Sequence, residues 1–163
     1  TETISPSMDI SVASNFERLL YDFYLNRNSK KCSDHYTHFP NKGIKIDEKM
    51  WKKSSELFLS YSINDDSTYE CMKHFSENFN YIMDPHTAVA AKAVIKLNNT
   101  LSNKTVILST AHPAKFPIAL ENAEINLDNM PKNLEKVLNM KEVEYKLNAS
   151  EDSIFDFIKE KNK

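Results

Sequence analysis

The sequence predicts a helix-rich α/β protein that forms a single domain over residues 1–163. Most of the chain shows apolar residues at helical spacing behind residues that cap helices. Residues 105–109 form the one clear strand, a short run rich in β-branched side chains. One strand does not make a sheet, so we expect the partner strands to lie in another part of the protein.

The first half of the chain predicts three helices. A capping box begins at Ser14, and the apolar stripe behind it predicts a helix to about Leu25. Residues 26–45 are polar and are expected to be irregular, within a variable and mainly helical region at about 26–80. Asp47 is expected to cap a second helix. A turn at 64–66 and a second capping box at 67–70 predict the third.

The second half predicts three more helices. Asp84 followed by Pro85 is typical of a helix start, because aspartate caps well and proline suits the first helical position. Two further helices are expected at about 132–140 and 151–161. An extended segment is expected at 143–147.

Composition excludes several classes of partner and location. The formal net charge is −2, which gives no long-range field toward nucleic acid or an anionic membrane. No apolar run approaches the roughly 20 residues of a membrane span, and no signal peptide opens the chain. The two cysteines do not make a disulfide framework, so a cytoplasmic location is the expectation.

Glycine is unusually scarce. Gly43 is the single glycine, whereas average usage would give roughly eleven. Glycine lets a backbone close around a phosphate, so the chain is not expected to form a phosphate-binding loop of its own. Thr1 is also not a start methionine. Both features suit a piece of a longer protein.

Two segments could carry chemistry. The first is STAHPAKF at 109–116, which follows the predicted strand directly. Ligands gather at the carboxyl ends of strands in open α/β sheets. The alternative is that these residues form an ordinary solvated turn between a strand and a helix. The second is DPHTAV at 84–89, where His86 would sit in the first helical turn and be kept neutral by the helix dipole. An ordinary helix start is the alternative there.

The sequence predicts neither a metal site nor a serine hydrolase site. Cys32 and Cys71 each have a histidine three residues later, but these are not the common zinc spacings. No metal site is therefore predicted. A serine hydrolase is also not predicted, because the glycines of a nucleophile elbow are missing.

Three segments together resemble threonine synthases. SPSMDI at 5–10 with SNFERLL at 14–20 is similar to the start of the C-terminal part of that family. DPHTAV at 84–89 resembles its middle helix, and STAHPAKF at 109–116 resembles a late strand-to-loop signature. Order and separation match as well, and the resemblance is weaker at 26–62 and over the last 40 residues.

The resemblance implies a pyridoxal-phosphate lyase of the tryptophan-synthase-β-like fold. Such an enzyme converts O-phospho-L-homoserine and water into L-threonine and phosphate, in amino-acid biosynthesis. The Schiff-base lysine and the glycine-rich phosphate loop lie upstream in that family. We therefore expect no catalytic residue in this chain, no activity from this chain alone, and an upstream portion of the same enzyme as its partner.

The resemblance also implies particular site residues. Thr110 matches the position whose hydroxyl meets the pyridine nitrogen of the cofactor. His112 and Lys115 match conspicuous positions close by, without an assigned role, and Asp84 and His86 are expected as further neighbours of the active site. The alternative that stays open is a stand-alone, helix-rich binding module without catalysis.

Overall fold

The chain forms two compact units of helices. A computed structural model describes residues 2–43, 45–97, 104–128 and 130–162, with side chains omitted for 40–42. The first unit is Thr1–Asp128 and the second is Asn129–Lys163. The described residues contain helices, short 3-10 or π turns and segments without regular structure, but no strand. The expected α/β sheet is therefore not formed within them.

The N-terminal segment leads into a short helix that ends in a wider turn. A 3-10 turn at Pro6–Met8 precedes α1 at Ser14–Leu19, and a π-helical turn continues at Leu20–Tyr24. The predicted capping box at Ser14 is wrong by one residue. Ala13 occupies the cap position and offers no side-chain oxygen, and the Phe16 amide donates instead to the side-chain oxygen of Asn15.

A helix replaces the irregular structure expected at 26–45. The helix α2 spans Ser29–Lys42, and the Asn28 side chain caps it by accepting a hydrogen bond from the Lys31 amide. Helix α3 spans Glu48–Ser55, and Asp47 caps it as predicted. Buried residues of this region form a small apolar cluster, to which Leu20, Tyr24, Leu25 and Cys32 belong.

Helices α4 and α5 pack against each other and form the main core. The helix α4 spans Asp65–Phe79 and is capped by Asn64, so the capping box predicted at 67–70 and the turn predicted at 64–66 are wrong. The helix α5 spans Pro85–Leu97. The core between them contains Cys71, Met72, Ala88 and Ala91. Alanines on α5 allow the close approach because they add little bulk.

The rest of the first unit returns to this core. Residues 104–110 have no regular secondary structure, then a 3-10 turn at Pro113–Lys115 leads into α6 at Pro117–Asn122. Ala119 and Leu120 of α6 are buried in the same core. The strand predicted at 105–109 is not assigned among the described residues, because a strand needs a neighbour to complete its hydrogen bonds.

The second unit contains two amphipathic helices. The helix α7 spans Lys132–Leu138 and α8 spans Glu151–Lys161, as the sequence predicts within two residues. Residues 141–148 between them are without regular structure. Tyr145 of this connection packs on Phe157 of α8 with ring centroids 4.9 Å apart, and the Lys161 ammonium lies over the Tyr145 ring.

Candidate functional site at the start of helix α5

A buried carboxylate organises the first turn of α5. Asp84 is 0% exposed. Its Oδ1 accepts hydrogen bonds from the backbone amide of His86 at 3.0 Å and that of Thr87 at 3.4 Å, and its Oδ2 accepts from the Thr87 hydroxyl. A charge removed from water needs such donors. The prediction that Asp84 caps this helix is confirmed. The same carboxylate also holds the side chains of His86 and Thr87.

The imidazole of His86 connects this turn to the N-terminal segment. Its Nδ1 lies 3.0 Å from Asp84 Oδ1, and its Nε2 accepts from the Ser7 amide at 3.4 Å. A carboxylate cannot donate, so Nδ1 carries the proton and Nε2 is the acceptor. In this geometry the ring donates to the carboxylate through Nδ1 and accepts from the N-terminal segment through Nε2. The ring also packs against Phe116 at a centroid distance of 4.8 Å.

Thr110 is held beside this turn by its backbone. Its amide donates to Thr87 Oγ1 at 3.2 Å. The residue is exposed, and it follows residues 104–109, which have no regular secondary structure. The structure thus brings the segments at 84–89 and 109–116 together, although 23 residues separate Thr87 from Thr110 in sequence. Each segment was a separate candidate in the sequence.

His112 has a structural role in the turn that follows. Its Nδ1 accepts a hydrogen bond from the Ala114 amide at 3.2 Å and so caps the 3-10 turn at Pro113–Lys115. A neutral ring with Nδ1 as acceptor carries its proton on Nε2 and can donate from there. His112 and Lys115 are both exposed. They lie in the same turn, so an imidazole donor and a positive charge are close to Thr110 in sequence.

Sequence reasoning missed the residue that joins the two segments. Thr87 was part of the DPHTAV segment but was not singled out as a site residue. Its position three residues after Asp84 is the signal, because a hydroxyl there can reach back to the capping carboxylate. Ser109 also gains a partner that the sequence did not suggest, since the Tyr81 hydroxyl lies 3.4 Å from its Oγ.

The cysteine–histidine pairs do not come together as a site. Cys32 and Cys71 are both buried free thiols, and they belong to different apolar clusters of the first unit. The His35 ring bonds to the Lys31 carbonyl of its own helix, and the His74 ring contacts Phe75 and Phe79. Across the described ranges, no three histidine, cysteine or acidic side chains are grouped to hold a metal ion.

None of the helices in the described part of the chain combines the length and apolar character needed to cross a membrane.

Comparisons with known proteins point to one family. A family model described as threonine synthase, C-terminal, matches residues 87–158. The threonine synthase of Pseudomonas aeruginosa is 39% identical over 124 residues, covering 76% of this chain. The crystal structure of threonine synthase from yeast matches 99% of this chain with a TM-score of 0.76 and 28% identity.

A second similar structure is that of a threonine synthase with bound cofactor. The PLP-bound threonine synthase from Brucella melitensis matches 87% of this chain with a TM-score of 0.70 and 30% identity. The chain spans only part of these proteins. It covers 26% of the Pseudomonas enzyme, 36% of the yeast structure and 30% of the Brucella structure.

Proposed function

This chain is a homologue of the C-terminal part of threonine synthases, and we propose that it serves as that part of a pyridoxal-phosphate-dependent threonine synthase. The reaction would convert O-phospho-L-homoserine and water into L-threonine and phosphate. One observation carries the proposal. The two segments that resemble the family signature meet in space, where the Thr110 amide bonds to Thr87.

Thr110 is proposed to meet one end of the cofactor. The ring nitrogen of pyridoxal phosphate needs a hydrogen-bond partner, and Thr110 is an exposed residue with a hydroxyl, beside the first turn of α5. A phosphate needs converging backbone amides, which glycine loops supply. Gly43, the single glycine, follows α2, and a Cβ atom placed on it would have no other atom within 4 Å. The phosphate and the covalent lysine are thus proposed to be held by another portion of the enzyme.

The residues of this chain would orient the cofactor ring and tune it. When bound, pyridoxal phosphate withdraws electron density from the substrate carbons that lose and gain protons. The Thr110 hydroxyl would donate a hydrogen bond to the ring nitrogen, and as a neutral partner it would favour the unprotonated nitrogen and so moderate that withdrawal. His112 can donate from Nε2, since its Nδ1 is used by Ala114. The exposed ammonium of Lys115 suits a phosphorylated, anionic substrate.

The α/β architecture is part of the proposal. The β-branched run at 105–109 predicts a strand. In the structure Ile107 packs against the core, while its neighbours Val106 and Leu108 are exposed. We therefore place this segment as a strand in the sheet of the complete enzyme, whose other strands lie outside the described residues. The two free cysteines support a cytoplasmic enzyme.

The test is to restore the complete enzyme. This chain would be produced together with the portion that precedes it in threonine synthases, then supplied with pyridoxal phosphate and O-phospho-L-homoserine. The proposal expects the absorbance of bound cofactor, with threonine and phosphate formed in equal amounts. The matched control replaces Thr110 with valine in the same assembly. An assembly that forms but neither binds the cofactor nor produces threonine would favour a binding module without catalysis.

A further inference from the structure

We infer that Thr87 is a positioning residue that holds Thr110 in place through a hydroxyl oriented by the buried Asp84. The inference rests on the proposed function only for its consequence, the placement of Thr110 toward the cofactor. The hydrogen-bond chain itself is independent of any ligand. It runs from the Asp84 carboxylate to the Thr87 hydroxyl and on to the Thr110 amide.

The direction of each hydrogen bond in this chain is determined. An ionised carboxylate only accepts, so the Thr87 hydroxyl must donate its proton to Asp84 Oδ2. The hydroxyl oxygen of Thr87 then remains free to accept, and it accepts a hydrogen bond from the Thr110 amide at 3.2 Å. A hydroxyl that donates to a charged group becomes a better acceptor, because the two bonds polarise each other.

Burial distinguishes the two ends of the chain. Asp84 and Thr87 are buried in the first turn of α5, next to the core residue Ala88, whereas Thr110 is exposed. The core therefore fixes the position of the Thr87 oxygen, and the Thr110 backbone takes its position from that oxygen. An exposed residue in a segment without regular secondary structure would otherwise have several backbone conformations available.

The side chain at position 87 must therefore keep a hydroxyl. Thr87→Val preserves the shape and removes both hydrogen bonds, while Thr87→Ser preserves the hydroxyl and removes only a methyl group. In the first variant the Thr110 amide loses its acceptor. In the second it keeps the acceptor. The comparison separates the hydroxyl from simple packing.

Amide hydrogen exchange in the full 163-residue chain tests the hold directly. Thr87→Val should speed exchange of the Thr110 amide by about three- to tenfold, the equivalent of one neutral hydrogen bond. Thr87→Ser should leave it near the wild-type rate. The amides of Cys71 and Met72 report on the core and should not change in either variant. Equal protection of the Thr110 amide in the wild type and the valine variant would overturn the inference.

A second arm keeps the inference testable if the valine variant unfolds. Asp84→Asn keeps the size of the side chain but replaces the oxygen acceptors by one oxygen and one amide, so it weakens the orientation of the Thr87 hydroxyl. Thr110 exchange should rise in this variant also, and in Thr87→Ser it should not. Faster exchange in both the serine and asparagine variants, with an intact core, would show that the hydroxyl is not what holds Thr110.

The consequence for the cofactor is measured in the complete enzyme, with pyridoxal phosphate affinity as the readout. Thr87→Val should weaken binding when Thr110 is present and add little when Thr110 is already valine. Additive losses would contradict the positioning role. A different outcome separates the two claims: Thr87→Val speeds exchange of the Thr110 amide, but Thr110→Val leaves cofactor affinity unchanged. That outcome would support the positioning of Thr110 by Thr87 and contradict the contact between Thr110 and the cofactor.

Discussion

Asp84 and His86 are joined across the first turn of α5, with 3.0 Å between Oδ1 of the carboxylate and Nδ1 of the ring. The same carboxylate oxygen accepts from the His86 amide, so the pair is fixed in both backbone and side chain. Through Nε2 the ring reaches the Ser7 amide. Two distant stretches of the sequence thus depend on one buried charge.

Removing that charge should destabilise the first unit. Asp84→Ala leaves the buried donors of His86 and Thr87 without an acceptor, and the expected loss is about 2–4 kcal/mol of unfolding free energy. Asp84→Asn should lose less, because its amide oxygen still accepts. Urea unfolding followed by far-ultraviolet circular dichroism measures both. An alanine variant within about 0.5 kcal/mol of the wild type would show that the network does not stabilise the fold.

The helix starts show how far the sequence could predict this fold. Asp47 and Asp84 were correctly predicted as caps, because an aspartate before apolar residues at helical spacing is typical of a helix start. Asn64 was missed, because the stretch at 67–70 also fits a capping box. In the structure Thr68 is buried inside α4, and its hydroxyl donates to the Asn64 carbonyl instead. Local sequence alone does not choose between two adjacent caps.

The errors elsewhere have different physical causes. Helix α2 was read as irregular because its sequence is polar and contains Pro40, yet Cys32 and Tyr36 are spaced for one helical face and contact the same cluster. The segment 105–109 was read as a strand from its β-branched residues. Pairing depends on a neighbouring strand, which local sequence cannot supply. Likewise, no local pattern showed that Thr87 would meet Thr110.

The thiol of Cys71 should make the fold sensitive to alkali. Burial raises the pKa of this thiol above its ordinary value of 9.0, and the nearby Lys92 opposes the effect to a smaller extent. The unfolded chain ionises first, so stability contributed by the neutral thiol is present below pH 9.0 and falls as the pH rises toward the raised pKa.

The non-titrating variants Cys71→Ala and Cys71→Ser isolate this effect. Unfolding free energy measured against pH should decline less steeply above the ordinary thiol pKa in both, by up to about 1.4 kcal/mol per pH unit. Their absolute stabilities should differ, since one leaves a smaller side chain and the other buries a hydroxyl. Slopes identical to that of the wild type would show that Cys71 does not titrate differently in the folded state.

Glu124 combines a favourable ion pair with an unfavourable backbone. Its φ is +57°, in the left-handed region that favours glycine, and its carboxylate pairs with the Lys73 ammonium. Glu124→Gly relieves the backbone and should raise the unfolding free energy by up to about 1 kcal/mol in high salt, where the exposed pair is screened. The gain should be smaller in low salt. Thermal unfolding at two salt concentrations checks this.

Lys73→Met is the matched control, because it breaks the pair and leaves the backbone alone. The hydrogen bond and the charge of Lys73 lower the pKa of Glu124 below its ordinary 4.5. Stability from the pair is therefore present above that pH and lost as the pH falls through the lowered value. Lys73→Met should be destabilising at neutral pH in low salt and neutral in acid. A glycine variant less stable than wild type in high salt would contradict the strain argument.

The exposed apolar side chains of Val106 and Leu108 should promote association between chains. Val106 is 84% exposed and Leu108 is 74% exposed, in a segment to which no regular secondary structure is assigned. Such exposed apolar side chains invite contacts between chains. Replacing both residues with lysine should reduce self-association in sedimentation and the binding of a hydrophobic dye. Ile118→Lys is the control, because Ile118 is also apolar and 63% exposed but lies on helix α6, outside this segment. Equal effects in the two variants would rule out the segment as the cause.

The Thr110 side chain should matter through its hydroxyl group in the complete enzyme. Thr110→Ser keeps the donor and should be mild. Thr110→Val keeps the shape and removes the donor. A neutral hydrogen bond contributes about 0.5–1.5 kcal/mol, and an unpaired ring nitrogen adds a further cost. The valine variant should therefore lose roughly ten- to a hundredfold in turnover or cofactor affinity.

Charge at the same position gives a second, spectroscopic test. Thr110→Asp places a carboxylate where the neutral hydroxyl stood, which favours a protonated ring nitrogen and should change the absorbance of the bound cofactor. Because the Thr110 amide would still bond to Thr87 Oγ1 in all three variants, the backbone position should be the same in each. Differences among them therefore report on the side chain. Valine and serine variants that behave alike, with an unchanged spectrum in the aspartate variant, would show that Thr110 does not contact the ring nitrogen.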